Sequence, residues 1–424
     1  MRRFFTIAAA STVLGLCAII WFLQKPDALG VRSFDIQSAL AFDRVFSPTY
    51  PIDEANMRAL LALAEELLND APISVGELPL TYAEQRIVNN GGGPAVVNKE
   101  FTDVERQLAL AVLDIKSGEV SIVPVIKRGA DIVVPDGYRI SIAPRVNGIA
   151  WNYWATQFVI EEPKHRVVIM TKFPLSETVR VGRATETRIE PILYTAYTEE
   201  LNDRPFIETG ARYVADIVAK AREDLRAQGV QSRAIPGKLI VDVLPADIFQ
   251  RIPFLEQGDL LEVLVDAEYV ARRVLGTLGY NGARAFANTE SSVGARGWLQ
   301  FTDNAIRTQP GTYSQLRRLY PKALLESDFK KGASDHLNSM KAAILLHDEN
   351  LAYFMRNLGE QIASDARLEE YLAAAYNGPP ARALNALREV GAGQDWIAEL
   401  APETQGFITK LRIWKQYGVP EKYL

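Results

Sequence analysis

The stretch SSVGARGWLQFT, residues 291–302, decides how the C-terminal half of this chain is interpreted. Gly294 and Gly297 lie close together in it, and glycine adopts positive φ or lets another backbone approach closely. The pattern therefore predicts a tight loop in mainly helical surroundings. Two further segments follow in order, YLAAAYNGPPARA at 371–383 and PETQGFITKLRIW at 402–414. The first is typical of an alanine-rich helix that ends at Asn-Gly-Pro.

In this order the three segments resemble the soluble lytic transglycosylase (SLT) family of peptidoglycan lytic transglycosylases, which share the lysozyme-like superfold. In that family a Gly-Ala-x-Gly-Leu-Met-Gln segment follows the catalytic glutamate, an Ala-Tyr-Asn-Ala-Gly-Pro segment lines the other wall, and a Glu-Thr-Arg-x-Tyr-Val segment opens a late helix. The resemblance covers about residues 240–420. The chain departs from the pattern twice, because no alanine separates Asn377 from Gly378 and Gln405 replaces the arginine. An unrelated helical domain with an accidental GARG loop is the alternative.

The resemblance implies a groove for peptidoglycan glycan strands. Gln300 and the loop backbone are implied to line it, Tyr376 to orient the acid or the acetamido group, and Asn377 to cap or shape the turn. Trp298 is either groove wall or core. The residues implied to bind the glycan are Ser291, Gly294, Ala295, Gly297, Trp298, Gln300, Tyr376 and Asn377.

The catalytic glutamate is not fixed by these segments, because the family's Glu-Ser dipeptide is missing at its usual distance before Gln300. The candidates, in order of preference, are Glu256, Glu290 and Glu268. Glu256 is preferred because Gly258 can stop one helix and Asp259 can cap the next, which places a carboxyl at a helix end beside apolar residues.

The two other candidates fit less well. Glu290 precedes Ser291 and so has the dipeptide, but the loop after it is shorter than in the family. Glu268 falls in the middle of what is predicted as one uninterrupted helix, 259–278, whereas the family's acid ends its helix.

One buried carboxyl is enough for the chemistry that the resemblance implies. Most glycosidases need two carboxylates. In lytic transglycosylases the substrate's N-acetyl group assists, the MurNAc 6-hydroxyl replaces water, and a 1,6-anhydro end forms. The glutamate must then be protonated near neutral pH, and burial raises the pKa of a carboxyl. No cofactor or metal is expected, because His336 and His347 lack a third ligand at suitable spacing.

Composition excludes other classes. The chain has 424 residues, with 48% hydrophobic and 23% charged side chains, which is ordinary for globular proteins and predicts two or three domains. The formal net charge of −5 does not favour nucleic acid as a partner. A single cysteine, Cys17, excludes an internal disulfide.

The N-terminus predicts a membrane anchor. Arg2 and Arg3 precede an uncharged stretch, residues 4–23, long enough to cross a bilayer as a helix. The arginines should stay in the cytoplasm, so the C-terminal part is expected outside it, in the bacterial cell envelope. A cleaved signal, a lipid anchor at Cys17 and a buried core helix are the alternatives.

The predicted fold class is α+β, in three parts. Residues 1–25 form the anchor, 26–235 an accessory α+β domain of unknown role, and 236–424 a mainly α, lysozyme-like domain. The accessory domain is predicted to contain helices at 54–68 and 207–228, a soft loop that ends at 89–93, and strands from residue 108 onward. Its aromatic residues at 151, 153 and 154 are interpreted as packing rather than as sugar contacts. Residues 228–237 are predicted as a linker, followed by a strand in KLIVDVL.

These expectations favour a membrane-anchored enzyme that cleaves the β-1,4 bond between MurNAc and GlcNAc. A non-catalytic peptidoglycan-binding scaffold and a hydrolytic muramidase are the rival functions.

Overall fold

The computed structural model describes residues 54–89, 94–128, 131–143, 154–181, 184–291, 293–304, 310–390 and 396–424. The predicted anchor at 1–25 and the aromatic residues 151 and 153 lie outside these ranges. Within them, no helix has the length and apolar character that a bilayer crossing requires. The chain combines a sheet with many helices, so the α+β class is confirmed.

The N-terminal part of the described chain, up to Tyr197, is built on antiparallel strands, and we call it the sheet module. Helix α1 spans Glu54–Asp70. The strands are β1 Ser74–Asn89, β2 Pro94–Asp114, β3 Val120–Arg128, β4 Asp131–Val133, β5 Arg139–Ile142, β6 Phe158–Glu162, β7 Arg166–Val181 and β8 Ala184–Tyr194. The larger sheet has the order β4-β3-β2-β7-β8, with β1 also paired to β2, whereas β5 and β6 form a small sheet of their own.

The predicted strands from residue 108 onward are confirmed, because the centre of β2 is buried on both faces. Leu108 and Leu110 face one apolar cluster, which includes Trp154, whereas Ala109 and Ala111 face another, under α1. A strand covered on both sides shows a continuous apolar run instead of alternation. The expected soft loop before residue 93 was wrong, because residues 74–89 pair with β2 as a long hairpin.

The helical part follows. Its helices are α2 Arg204–Ala227, α3 Ala246–Gln257, α4 Leu260–Val265, α5 Ala267–Asn281, α6 Thr312–Leu319, α7 Phe329–Ser334, α8 His336–Leu358, α9 Leu368–Asn377, α10 Pro380–Val390 and α11 Pro402–Tyr417. One hydrophobic core runs through it from Ile207 to Val419. Helix α2 therefore packs with the helical part, ahead of the boundary expected at residue 236.

Residues 228–244 differ from expectation. The predicted linker is packed, since Val230 is buried and the Ser232 hydroxyl donates to the Asp348 carboxylate at 2.6 Å. The predicted strand is a single 3-10 turn, Ile240–Asp242. The Arg222 side chain satisfies two carbonyls of this segment, because its guanidinium donates to the Val241 oxygen at 2.6 Å and to the Leu244 oxygen at 2.8 Å.

Helices α2 and α5 touch through glycines. A Cβ atom at Gly210 would lie 1.9 Å from the Leu275 carbonyl oxygen, and one at Gly279 would lie 1.9 Å from that of Phe206. The two backbones are thus in direct contact. The Phe206 and Tyr280 rings stack at 4.1 Å between this helix pair and the core of the sheet module.

Candidate active site

Glu256 occupies the last turn of helix α3. The helix ends at Gln257, and the Asp259 carboxylate caps helix α4 by accepting from the Leu261 amide at 2.9 Å. The predicted helix end at Gly258 and the predicted cap at Asp259 are both confirmed. Local capping signals therefore fix the position of this carboxyl at a helix terminus.

The carboxyl of Glu256 lies at a cavity of about 370 Å³. Its neighbours in sequence, Phe254 and Leu255, are buried in the core, and the glutamate itself is only partly exposed. Within the described part of the chain, the carboxyl has no hydrogen-bond partner and no ion pair; charges act on it from a distance. A polar group in this state is available to a ligand.

Burial raises the pKa of Glu256 to about 8. The positive charge of Lys410 acts against this rise, and the negative charge of Glu403 adds to it. The carboxyl therefore keeps its proton at neutral pH, which is the state that a general acid needs.

Lys410, on helix α11, is the basic group whose charge acts on this carboxyl. Its ammonium donates to the carbonyl oxygens of Leu255 and of Gly258, the latter at 2.8 Å, and lies 5.2 Å from the centre of the Phe407 ring. Burial lowers the pKa of the lysine, and the charge of Glu256 opposes that shift. The ammonium is therefore held by the end of helix α3, next to the acid.

The two other acidic residues at the cavity are already engaged. Asp259 caps helix α4. Glu262 forms an ion pair with Arg273 at 2.7 Å, and both side chains are almost completely buried. Among the described acids that line the cavity, Glu256 alone has a carboxyl without such a partner.

The remaining catalytic candidates, Glu290 and Glu268, each form an ion pair with an arginine. Glu290 is exposed and forms an ion pair with Arg296 at 2.7 Å. Glu268 lies in the first turn of helix α5, because the predicted single helix over 259–278 is broken at Asp266, whose side chain caps α5 through the Tyr269 amide.

The environment of Glu268 keeps it charged. Its slight burial raises the pKa of the carboxyl, but the positive charges of Arg272 and Lys422 outweigh this and hold the pKa below its ordinary value. A carboxyl of this kind is a poor general acid at neutral pH.

The predicted tight loop at 291–302 is confirmed. Gly294 and Gly297 have φ of 79° and 73°. The Ser291 hydroxyl accepts from the Ala295 amide at 3.0 Å and closes the turn. A Cβ atom at Gly297 would lie 1.9 Å from the Ala333 carbonyl oxygen, so helix α7 leaves room for glycine only.

Trp298 was expected either in the groove wall or in the core, and the structure places it in the core. Its side chain has no exposed surface, its indole donates to the Ser339 hydroxyl at 2.7 Å, and it stacks on His336 at 4.3 Å. A glycan contact through this ring is therefore excluded in this structure. Gln300 is partly exposed, with its amide donating to the Gly297 oxygen at 2.7 Å.

The three motif segments meet beside Glu256. The Tyr376 hydroxyl donates to the Leu299 carbonyl of the loop at 2.6 Å, and its ring stacks on Phe407 of helix α11 at 6.3 Å. Burial raises the pKa of Tyr376 well above its ordinary value, and the nearby Glu256 adds to this. The Asn377 amide accepts from the Thr404 hydroxyl at 2.9 Å, so it joins the turn to helix α11.

The loop at 291–302 and the segment of Tyr376 support the end of helix α3 rather than line the cavity, whereas the third segment contributes Lys410 to the lining. The Gln257 amide donates to the Trp298 carbonyl at 2.7 Å, which fixes the helix end to the loop. The cavity wall is formed by other residues, several of them from the sheet module, namely Ala155, Gln157, Tyr194, Ala196 and Tyr197.

Sequence reasoning missed Lys410 and the sheet-module wall. Lys410 could have been found, because positions 403, 407 and 410 share one face of a helix. The wall could not, since no local pattern relates residues 155–157 and 194–197 to Glu256.

Both buried histidines have structural roles. Burial lowers the pKa of His336 and of His347 to about 4, and each ring nitrogen bonds a backbone carbonyl, of Ala285 and Ala343 respectively. In the described ranges, no three His, Cys, Asp or Glu side chains come together as a possible metal site.

Comparison of the chain with protein-family models, with curated proteins and with solved structures finds no match. The fold and the site described above are therefore the basis for assigning a function.

Proposed function

We propose that this protein is a peptidoglycan lytic transglycosylase that cleaves the β-1,4 bond between MurNAc and GlcNAc and leaves a 1,6-anhydro-MurNAc end. One observation carries the proposal: the carboxyl of Glu256, with a pKa of about 8, lies in a cavity with no partner among the described residues. A protonated carboxyl with access to a ligand is the group that protonates a leaving sugar oxygen.

The state of the other acids favours this reaction over a two-carboxylate mechanism. Asp259 is committed to a helix cap and Glu262 to Arg273. With one available carboxyl, no second carboxylate serves as nucleophile, and the acetamido oxygen and 6-hydroxyl of MurNAc can take that role.

In the proposed first step Glu256 gives its proton to the glycosidic oxygen, the bond from MurNAc C1 to that oxygen breaks, and the acetamido oxygen of MurNAc bonds to C1. The Glu256 carboxylate formed in this step is stabilised by the Lys410 ammonium. In the second step the carboxylate takes the proton of the 6-hydroxyl, whose oxygen bonds to C1 and displaces the acetamido oxygen. Glu256 is then ready for another cycle.

Membership of the SLT family and a lysozyme-like helical domain are part of the proposal. Their support is the meeting of the three motif segments at Glu256 through Leu299, Tyr376 and Phe407. An uncleaved N-terminal anchor in the cytoplasmic membrane, with the enzyme facing the cell wall, is proposed from the sequence of residues 1–25.

Digestion of purified sacculi, with mass analysis of the released products, tests the proposal. Anhydro ends are expected from the wild type, and none from Glu256→Gln. Reducing ends would identify a hydrolytic muramidase instead. No release by a folded protein would leave a peptidoglycan-binding scaffold.

A further inference from the structure

We infer that the sheet module forms part of the glycan site, by binding a neutral acetamido sugar of the strand whose cleaved bond lies at Glu256. The inference rests on the proposed function and assigns sugar binding to residues 155–157 and 194–197.

Both parts of the chain line the cavity at Glu256. Glu256 and Lys410 come from the helical part, whereas Ala155, Gln157 and Ala196 come from the sheet module. The motif residues of the loop at 291–302 do not line this space. A sugar that reaches the Glu256 carboxyl through the cavity therefore contacts the sheet module.

The wall is fixed rigidly to the helices that carry the acid. The Asn281 side chain of helix α5 accepts from the Thr195 amide at 2.9 Å and donates to the Thr195 carbonyl at 2.8 Å. The Tyr197 ring packs so closely on α5 that a Cβ atom at Gly276 would lie 2.7 Å from it. A preorganised wall loses little entropy when a ligand binds.

Gln157 is the polar group that this wall offers. Its amide nitrogen donates to the Tyr197 carbonyl, which orients the side chain, and its amide oxygen is left as an acceptor. The side chain is partly exposed at the cavity. An amide acceptor beside the small, apolar Ala155 and Ala196 suits a sugar hydroxyl or acetamido N–H together with an acetamido methyl group.

The charges at the cavity favour a neutral ligand. The Lys410 ammonium is engaged by the carbonyls of Leu255 and Gly258, and the Arg273 guanidinium is engaged by Glu262. An anionic group such as a stem-peptide carboxylate would also meet Asp259. The sugar, rather than the peptide, is therefore assigned to this wall.

Binding of chitotriose, the GlcNAc trimer, to the full chain tests the inference by calorimetry without any turnover. Gln157→Ala is expected to weaken binding about five- to tenfold, as one lost hydrogen bond does. Ala196→Trp, which places a large side chain in the cavity, is expected to weaken chitotriose binding more. Gln231→Ala removes an exposed amide outside the cavity and serves as the matched control, with unchanged affinity expected.

Two results would overturn the inference: no binding of chitotriose at millimolar concentration, or equal affinity in wild type and in a Gln157→Ala protein that melts normally. Tighter binding of a free stem peptide than of chitotriose would overturn the choice of ligand. If sacculi are not cleaved but Gln157→Ala still weakens binding, the proposed reaction fails and the sugar site stands. Cleavage to anhydro ends with unchanged binding would remove the sugar site alone.

Discussion

The end of helix α3 and the start of the loop at residue 290 each carry a glutamate, but the surroundings of the two carboxyls differ. Glu290 has the expected Glu-Ser dipeptide, yet it lies exposed and paired with Arg296 at 2.7 Å. Glu256 lacks the dipeptide, yet it lies in a cavity without an ion pair to any described residue, and burial raises its pKa to about 8. Surroundings, rather than the neighbour in sequence, decide which carboxyl is buried without a partner and which is paired with a cation.

The largest expected effect is on the rate of sacculus digestion, and it tests whether Glu256 or Glu290 is the acid. Glu256→Gln removes the proton donor and is expected to lower the rate of sacculus digestion by about 10³-fold, within the range for loss of general acid catalysis. Glu290→Gln and Glu268→Gln are the matched controls and should stay within about twofold of wild type in the same assay, because neither residue lines the cavity and each is paired with an arginine. An inactive Glu290→Gln together with an active Glu256→Gln would instead assign the acid to Glu290.

The next effect concerns the loop. Gly297→Ala is expected to lower the free energy of unfolding by about 2–4 kcal/mol, because its Cβ would meet the Ala333 carbonyl at a residue with φ of 73°. Denaturant unfolding measures the change. Gly237→Ala is the control, since it also has positive φ but nothing within 4 Å of its Cβ, and it should cost less. Equal losses in the two variants would show that the contact with helix α7 does not matter.

A smaller effect is a gain in stability at the cost of activity. The folded carboxyl of Glu256 has a pKa of about 8, against an ordinary value of 4.5. Between these pH values the unfolded chain releases the proton and the folded chain keeps it, so the free energy of unfolding falls as pH rises. Glu256→Gln lacks this penalty, and at pH 7 it should be more stable by about 1–2 kcal/mol, a figure reduced for the partial exposure of the side chain.

Thermal melts at pH 4 and pH 7 measure this difference. The gain should be present at pH 7 and absent at pH 4, where both states are protonated. A gain of the same size at both pH values would mean that packing, not the carboxyl proton, is responsible.

The smallest effect is on the pH profile. Activity should decline above about pH 8, as Glu256 loses its proton. Lys410→Met removes the positive charge that opposes the rise, so the alkaline limb is expected to move upward by about one pH unit. The other groups that face Glu256, namely Glu403 on the same helix and Asp259 and Tyr376 on neighbouring segments, are unaltered in this variant. Lys410→Arg keeps the charge and should keep the limb near its wild-type position; a limb that moves equally in both variants would point to lost packing.

Local signals predicted much of the framework. Helices α1 and α2 lie within a few residues of their expected bounds, and the Gly258-Asp259 junction ends one helix and caps the next as expected. The apolar runs after residue 108 form strands. These features depend on residues close in sequence, so their chemistry is visible without the fold.

Other features could not be predicted, because they depend on contacts between residues that are far apart in the sequence. The strand at 74–89 contains Gly76 and Pro79, which are uncommon in strands, and it forms through its register with β2. KLIVDVL resembles a strand, but residues 240–242 form a 3-10 turn, and the distant Arg222 side chain donates to the carbonyls of Val241 and Leu244. The position of Trp298 in the core depends on Ser339 and His336, which local periodicity does not reveal.

The sequence by itself determined that a glutamate would stand at the end of helix α3 beside apolar residues, because capping and hydrophobicity are local properties. The tertiary structure decided that this carboxyl has no partner among the described residues, that Lys410 lies beside it, and that Gln157 lines its cavity. Burial and electrostatic interaction depend on distances through space, and residues 157, 256 and 410 come together only when the sheet module and the helices are packed.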